Sequence, residues 1–70
     1  MSAIKAHMAG TIIDIMVKEG EQVSAGQDVA CLESMKMQMF IQSDQSGTVR
    51  DIKVTPGDFV AEGSVILELA

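Results

Sequence analysis

The chain contains its own sequence twice. A shift of 37 positions carries Gly10 onto Gly47, Thr11 onto Thr48, Asp14 onto Asp51, Ile15 onto Ile52 and Val17 onto Val54. The same shift carries Gly20 onto Gly57, Val23 onto Val60, Gly26 onto Gly63 and Leu32 onto Leu69, with Ile12/Val49, Glu21/Asp58 and Val29/Ile66 as near matches. The register runs without a gap from Gly10 to Leu69. Periods of this length usually mark solenoids, but two copies are too few to cover the cores of their own end repeats. Two copies that close on each other about an approximate two-fold axis leave no such end. The 70 residues are therefore expected to form a single domain, 1–70, with halves of about 1–35 and 36–70.

Turn signals recur every few residues and leave no room for helical periodicity. Thr55-Pro56-Gly57-Asp58 reads as a type II turn, with proline pre-setting φ at its second position and glycine accepting positive φ at its third. Its repeat mate Lys18-Glu19-Gly20-Glu21 keeps the glycine, and Ser24-Ala25-Gly26-Gln27 and Ala61-Glu62-Gly63-Ser64 form a second matched pair. Gly20, Gly26, Gly47, Gly57 and Gly63 are thus expected as structural turn residues. Strands are expected near 2–8, 11–17, 28–33, 37–42, 48–54 and 64–69, with short ones near 22–24 and 59–61. Seven valines and seven isoleucines against three leucines suit pleated sheets. With one cysteine there is no disulfide to staple so small a core.

Ile15 and Val17, like Ile52 and Val54, keep the two-residue spacing of one sheet face. Ile12 and Val49, by contrast, lie three residues before Ile15 and Ile52. A step of three moves a side chain to the other face unless the strand bends or bulges, so a bend is expected near Asp14 and Asp51. Strands bent in this way predict an all-β fold: a flattened barrel-sandwich of two small antiparallel sheets with internal pseudo-two-fold symmetry. The segment Glu33–Met37 then becomes a tight hairpin joining the halves, and the two chain ends lie together at the opposite pole.

A net charge of −5 and scattered basic residues argue against nucleic acid and anionic membrane surfaces. The lack of Trp and Tyr removes the usual platforms for base stacking. No apolar run is long enough to span a membrane as a helix. A lone cysteine fits a reducing compartment, and the expected location is cytoplasmic, as a monomer. Cys31 has no activating neighbour in sequence and reads as an inert strand residue. His7 reads as structural or exposed, and there is no metal-ligand cluster and no catalytic constellation.

Attention falls on Met35-Lys36-Met37, at the joint between the repeats. A primary amine can be acylated, whereas a guanidinium stays protonated. An amine in water is largely protonated at neutral pH, so a visiting enzyme has to supply both a base and an activated acyl group. Lys36 then serves as a substrate for modification, not as a catalytic nucleophile.

Ala6-His7-Met8-Ala9-Gly10, Gly20-Glu21 followed by Val23 and Gly26-Gln27, Leu32-Glu33-Ser34-Met35-Lys36-Met37, Ser46-Gly47 and Gly57-Asp58 together resemble the biotinyl/lipoyl carrier domain family, especially its short stand-alone attachment proteins. The resemblance covers nearly the whole chain. It implies that Lys36 is the attachment lysine and that Glu33, Ser34, Met35, Met37 and Gln38 form the surface a ligase recognises. Methionine on both sides of the lysine resembles biotinyl domains, where lipoyl domains typically carry aspartate before it. The implied cofactor is biotin, with lipoate, or attachment of either, as the alternative. The implied partners are a biotin protein ligase, a biotin carboxylase and a carboxyltransferase, between which the arm carries a carboxyl group. Ser34 stands where alanine is commoner in the family, Gln38 replaces a frequent glutamate, and the gapless repeat leaves no room for a protruding thumb. A rival reading from another class is an unmodified barrel-sandwich that binds a protein partner.

Overall fold

Four tight turns set the path of the chain. In Lys18–Glu21 and Thr55–Asp58 the fourth amide donates to the first carbonyl at 3.0 Å in both copies, with φ of 90° at Gly20 and 98° at Gly57. Positive φ at the third position is what a type II turn demands, and glycine adopts it without steric cost. A side chain closes each turn a second time: Glu21 Oε1 accepts from Lys18 N–H at 3.1 Å, and Asp58 Oδ2 accepts from Thr55 N–H at 2.9 Å. The other pair repeats the device. Gln27 Oε1 accepts from Ser24 N–H at 3.0 Å and Ser64 Oγ from Ala61 N–H at 3.1 Å, around Gly26 and Gly63, also at positive φ.

The computed structural model describes residues 2–70. Its eight strands are β1 (Ser2–Lys5), β2 (Gly10–Ile15), β3 (Gln22–Val23), β4 (Asp28–Ser34), β5 (Met37–Gln42), β6 (Gly47–Ile52), β7 (Phe59–Val60) and β8 (Val65–Leu69). They form two four-stranded sheets in the orders β1-β8-β6-β3 and β5-β4-β2-β7, with every pairing antiparallel. Moving four strands along the chain converts the first order into the second, so the sequence repeat exchanges the two sheets. Each sheet draws two strands from each half, and neither half holds a sheet by itself. The expected fold class is the one found.

The bends fall where the apolar spacing placed them. β2 pairs with β4 through Ile12↔Leu32 and then Asp14↔Cys31, and β6 pairs with β8 through Val49↔Leu69 and then Asp51↔Glu68. Ile13 and Arg50 are therefore the extra residues of two matched bulges. Each bulge lets its strand bury Ile12 or Val49 in the common core and still present the next apolar residue inward.

The core lies between the sheets and repeats itself as the sequence does. Ile4/Ile41, Ile12/Val49, Val23/Val60, Val29/Ile66 and Leu32/Leu69 are all buried. Ser2 pairs with Leu69, which sets the described chain ends side by side at the position equivalent to the β4–β5 hairpin.

β2 and β6 stop at Ile15 and Ile52, two residues short of the expected ends at 17 and 54, and two further expectations need correction. The first strand stops at Lys5 rather than running to residue 8, because the chain turns inward at buried Ala6, whose amide donates to Ser64 O at 2.8 Å. Gly47 is not a turn residue but the first residue of β6, without positive φ. The constraint on it is a mild one of packing: a Cβ there would sit 3.3 Å from the Leu69 side chain, which would have to give by a few tenths of an ångström. Among the described residues no helix is long and apolar enough to cross a membrane.

Candidate attachment hairpin

The hairpin stands on β4, an inner strand flanked by β5 and β2. Leu32 is buried and pairs with Ile12 on one side and Met39 on the other. Glu33 pairs with Thr11 and Gln38, and Ser34 with Met37, which completes the ladder up to the turn. Gly10 lies against the base of this ladder. A Cβ on it would stand 2.7 Å from Leu32 Cδ1 and 2.6 Å from the Glu33 carbonyl oxygen, a backbone atom that could yield only if the strand itself shifted. Glycine at position 10 thus lets β2 close on the strand that carries the hairpin.

Two residues, Met35 and Lys36, make the turn, with φ of 53° and 65°. Positive φ at both central positions defines a type I′ turn, the one whose twist suits a two-residue hairpin and which normally selects Asn-Gly or similar pairs. Neither residue here is of that kind. The left-handed conformation costs an ordinary L-residue roughly 1–2 kcal/mol, and the flanking ladder has to hold it. Strain of this kind gathers at functional sites.

The methionines at the tip are not core residues: Met35 is 92% exposed and Met37 63%. Lys36 is exposed, and no hydrogen bond or ion pair holds its ammonium among the described residues. Glu33 and Gln38 are exposed and Ser34 half-buried. The structure therefore gathers all six residues from Glu33 to Gln38 at one hairpin, with the amine at its tip and uncharged thioethers on both sides.

Other residues weighed from sequence lie elsewhere. Cys31 is a buried, unpaired strand residue, and His7 is exposed in the connection after β1. No group of three or more metal-ligating side chains comes together among the described residues. The left-handed backbone of Met35 and Lys36 had no sequence signal, since neither residue favours it. Two exposed aromatics, Phe40 and Phe59, also escaped notice. Setting each against its repeat mate, Ala3 and Gln22, would have found them.

A sandwich of two interleaved four-stranded sheets with a lone lysine on a hairpin tip is the architecture of a carrier domain. Residues 2–69 match the sequence model of the biotin/lipoyl family, described as biotin-requiring enzyme, and the chain belongs to that family. It is 49% identical over 67 residues to the biotin/lipoyl attachment protein of Bacillus subtilis (strain 168), covering 96% of this chain and 92% of that one. It is 35% identical over 68 residues to the mitochondrial propionyl-CoA carboxylase alpha chain of Homo sapiens, covering 97% of this chain and 9% of that one. It is also 45% identical over 60 residues to the dihydrolipoyllysine-residue acetyltransferase component of the pyruvate dehydrogenase complex of Pseudomonas aeruginosa, covering 86% of this chain and 11% of that one. Among solved structures, the Kluyveromyces lactis urea carboxylase superposes with a TM-score of 0.90 at 26% identity, over 97% of this chain and 6% of that one.

Proposed function

We propose that this chain is a swinging-arm carrier whose Lys36 Nζ forms an amide with biotin. The observation that carries the proposal is the hairpin itself: one unpaired amine at the tip of a strained two-residue turn, between exposed Met35 and Met37. The donor set fits the group, because amide formation needs only an accessible primary amine with space around it. A ligase supplies the base and the activated acyl carbon. Lys36 Nζ attacks that carbon, loses a proton to the ligase's base and expels the activating group. Attached biotin supplies a ring nitrogen that takes up and gives back a carboxyl group.

The chain's own contribution is mechanical. The paired β4 and β5 hold the tip at a set place, so the arm swings from a fixed base. Tethering keeps the effective concentration high at the active sites of a biotin carboxylase and a carboxyltransferase. Met35 and Met37 suit a ligase pocket lined by apolar groups, since a fully buried thioether side chain gains roughly 1.5–3 kcal/mol. A carboxylate in the same place has to be paired or lose its hydration.

Lipoate is the second reading, supported by the 45% identity to the Pseudomonas aeruginosa dihydrolipoyllysine-residue protein. Intact mass after co-expression with a biotin ligase, and separately with a lipoate ligase, tests both. Addition of biotin to the wild type and none to Lys36→Arg, with unchanged thermal stability, is the expected result. Unmodified protein with both ligases, while a known carrier is loaded in parallel, would reject the carrier reading and favour an unmodified interaction module.

A further inference from the structure

The internal two-fold supplies a control that most surfaces lack. Among the described residues, positions on the outer face of the hairpin-bearing sheet have counterparts, 37 positions away, on the outer face of the other sheet. At some positions the counterparts are alike in character: Thr11 matches Thr48, Asp14 matches Asp51, and Gln42 stands against Lys5, polar in both. At four other positions they part. Phe40, Phe59, Ile13 and Cys31 stand on the hairpin-bearing sheet where Ala3, Gln22, Arg50 and Glu68 stand on its mate.

The register places these residues together. Phe40 pairs with Cys31, and Cys31 with Asp14 beside the bulged Ile13, so exposed Phe40, buried Cys31 and exposed Ile13 lie in one row across β5, β4 and β2. Phe59 pairs with Thr11, two residues before Ile13, and continues the strip diagonally onto β7. Neighbouring strands lie about 4.8 Å apart, which makes the strip about three strand spacings wide. Phe59 is 72% exposed, Phe40 50% and Ile13 38%. Single exposed apolar residues need no explanation. A strip of them on one of two equivalent faces does, because the same backbone accepts polar residues on the other.

Charge divides in the same way. Among the described residues, the strands β2, β4, β5 and β7 carry Asp14, Asp28 and Glu33 and no lysine or arginine, whereas those of the other sheet carry Lys5 and Arg50 beside Asp51 and Glu68. Among the described residues, the lysine carried by the hairpin of this sheet is Lys36, and acylation removes its charge. A ligase meets this face with Lys36 still positive. An enzyme that takes up the loaded arm meets a face that is apolar at its centre and whose charged strand residues, Asp14, Asp28 and Glu33, are all acidic. Two such faces from two copies repel each other, which argues against self-association here.

We propose that the outer face of the hairpin-bearing sheet, centred on Phe40, Phe59 and Ile13, docks the biotin carboxylase that works on the loaded arm, through an apolar patch on that enzyme ringed by lysine and arginine. This rests on the reading of the chain as a biotin carrier. Aromatic anchors at interface centres dominate affinity, and the acidic rim adds steering that weakens with salt.

The test exchanges residues across the two-fold. Phe40→Ala with Phe59→Gln installs the side chains that the other sheet already tolerates, and Ala3→Ser with Gln22→Ala is the control pair. Loaded wild type and both variants are titrated against the biotin carboxylase of the organism that makes this chain, with binding measured directly at two salt concentrations. Circular dichroism checks folding, and intact mass checks loading. The expected result is normal loading of all three proteins, a rise in Kd of about tenfold or more for the exchanged pair, no change for the control, and weaker binding at higher salt. Loaded variants that all bind as wild type does would overturn the inference and leave the carrier reading standing. So would an exchange that abolishes loading while an independently biotinylated sample binds normally, or a wild type that dimerises through this face in sedimentation. A wild type that no biotin ligase loads instead fails the carrier reading itself.

Discussion

Replacing Met35 by glycine should make the protein more stable and a worse ligase substrate at once. Met35 holds φ of 53° in a two-residue turn, a conformation that costs an ordinary residue roughly 1–2 kcal/mol and glycine almost nothing. Glycine also gives the unfolded chain more freedom, which takes back about 0.4–1 kcal/mol. Packing contributes little, because the side chain is 92% exposed and has almost no buried area to lose. The net gain is about 0.8 kcal/mol at the middle of these ranges, or roughly 3–6 °C in Tm for a domain of this size. Far-UV circular dichroism in urea and on heating measures it, since the chain has no Trp or Tyr to report by fluorescence. Biotinylation rate, followed by intact mass, reads the other arm. Loss of a thioether buried in the ligase, at roughly 1.5–3 kcal/mol, lowers kcat/KM about 10- to 150-fold. A Met35→Gly protein less stable than wild type would refute the strained turn. One that gains stability and is loaded at the wild-type rate would refute the role of Met35 in recognition.

The pseudo-equivalent glycines give an internal comparison. Gly10→Ala puts its Cβ 2.6 Å from a backbone carbonyl, whereas Gly47→Ala meets only the Leu69 side chain at 3.3 Å. Overpacking costs about 1–3 kcal/mol, so Gly10→Ala should sit at or above the top of that range and Gly47→Ala near the bottom; urea denaturation ranks them, and the reverse order would contradict the packing described. Leu32→Ala, at a fully buried position paired to both neighbouring strands, should cost about 2–5 kcal/mol in the same experiment. Met37→Ala, at an exposed position, should be close to neutral.

How much of this was legible beforehand depends on how local each feature is. The turns were readable because their cause lies within four residues: a glycine at the third position and an acceptor side chain at the fourth, in two matched pairs. The bulges at Ile13 and Arg50 were readable from the three-residue apolar step at Ile12 and Val49, whereas the register shifts at Ile4/Lys5 and Asp28/Ala30 had no such signal. The end of the first strand at Lys5 is also legible in the repeat. Its repeat mate 37–42 already ended where the connection Ser43–Ser46 began, and the shift maps that end onto Lys5. Gly47 was misplaced for a different reason: its neighbour Leu69 is distant in sequence, and only the closed sheet brings the two together.

Sequence by itself determined that the molecule is built of two like units, that Lys36 lies at their joint, and which side chains are apolar enough to fill a core. Those properties follow from chain composition and spacing. Tertiary structure alone decided that the units interleave so that each sheet takes strands from both, that Met35 and Lys36 adopt a left-handed backbone which neither favours, and that Phe40, Ile13 and Phe59 share one outer face. Each of these depends on pairing between residues far apart along the chain, where the twist of paired strands outweighs the preference of any single residue.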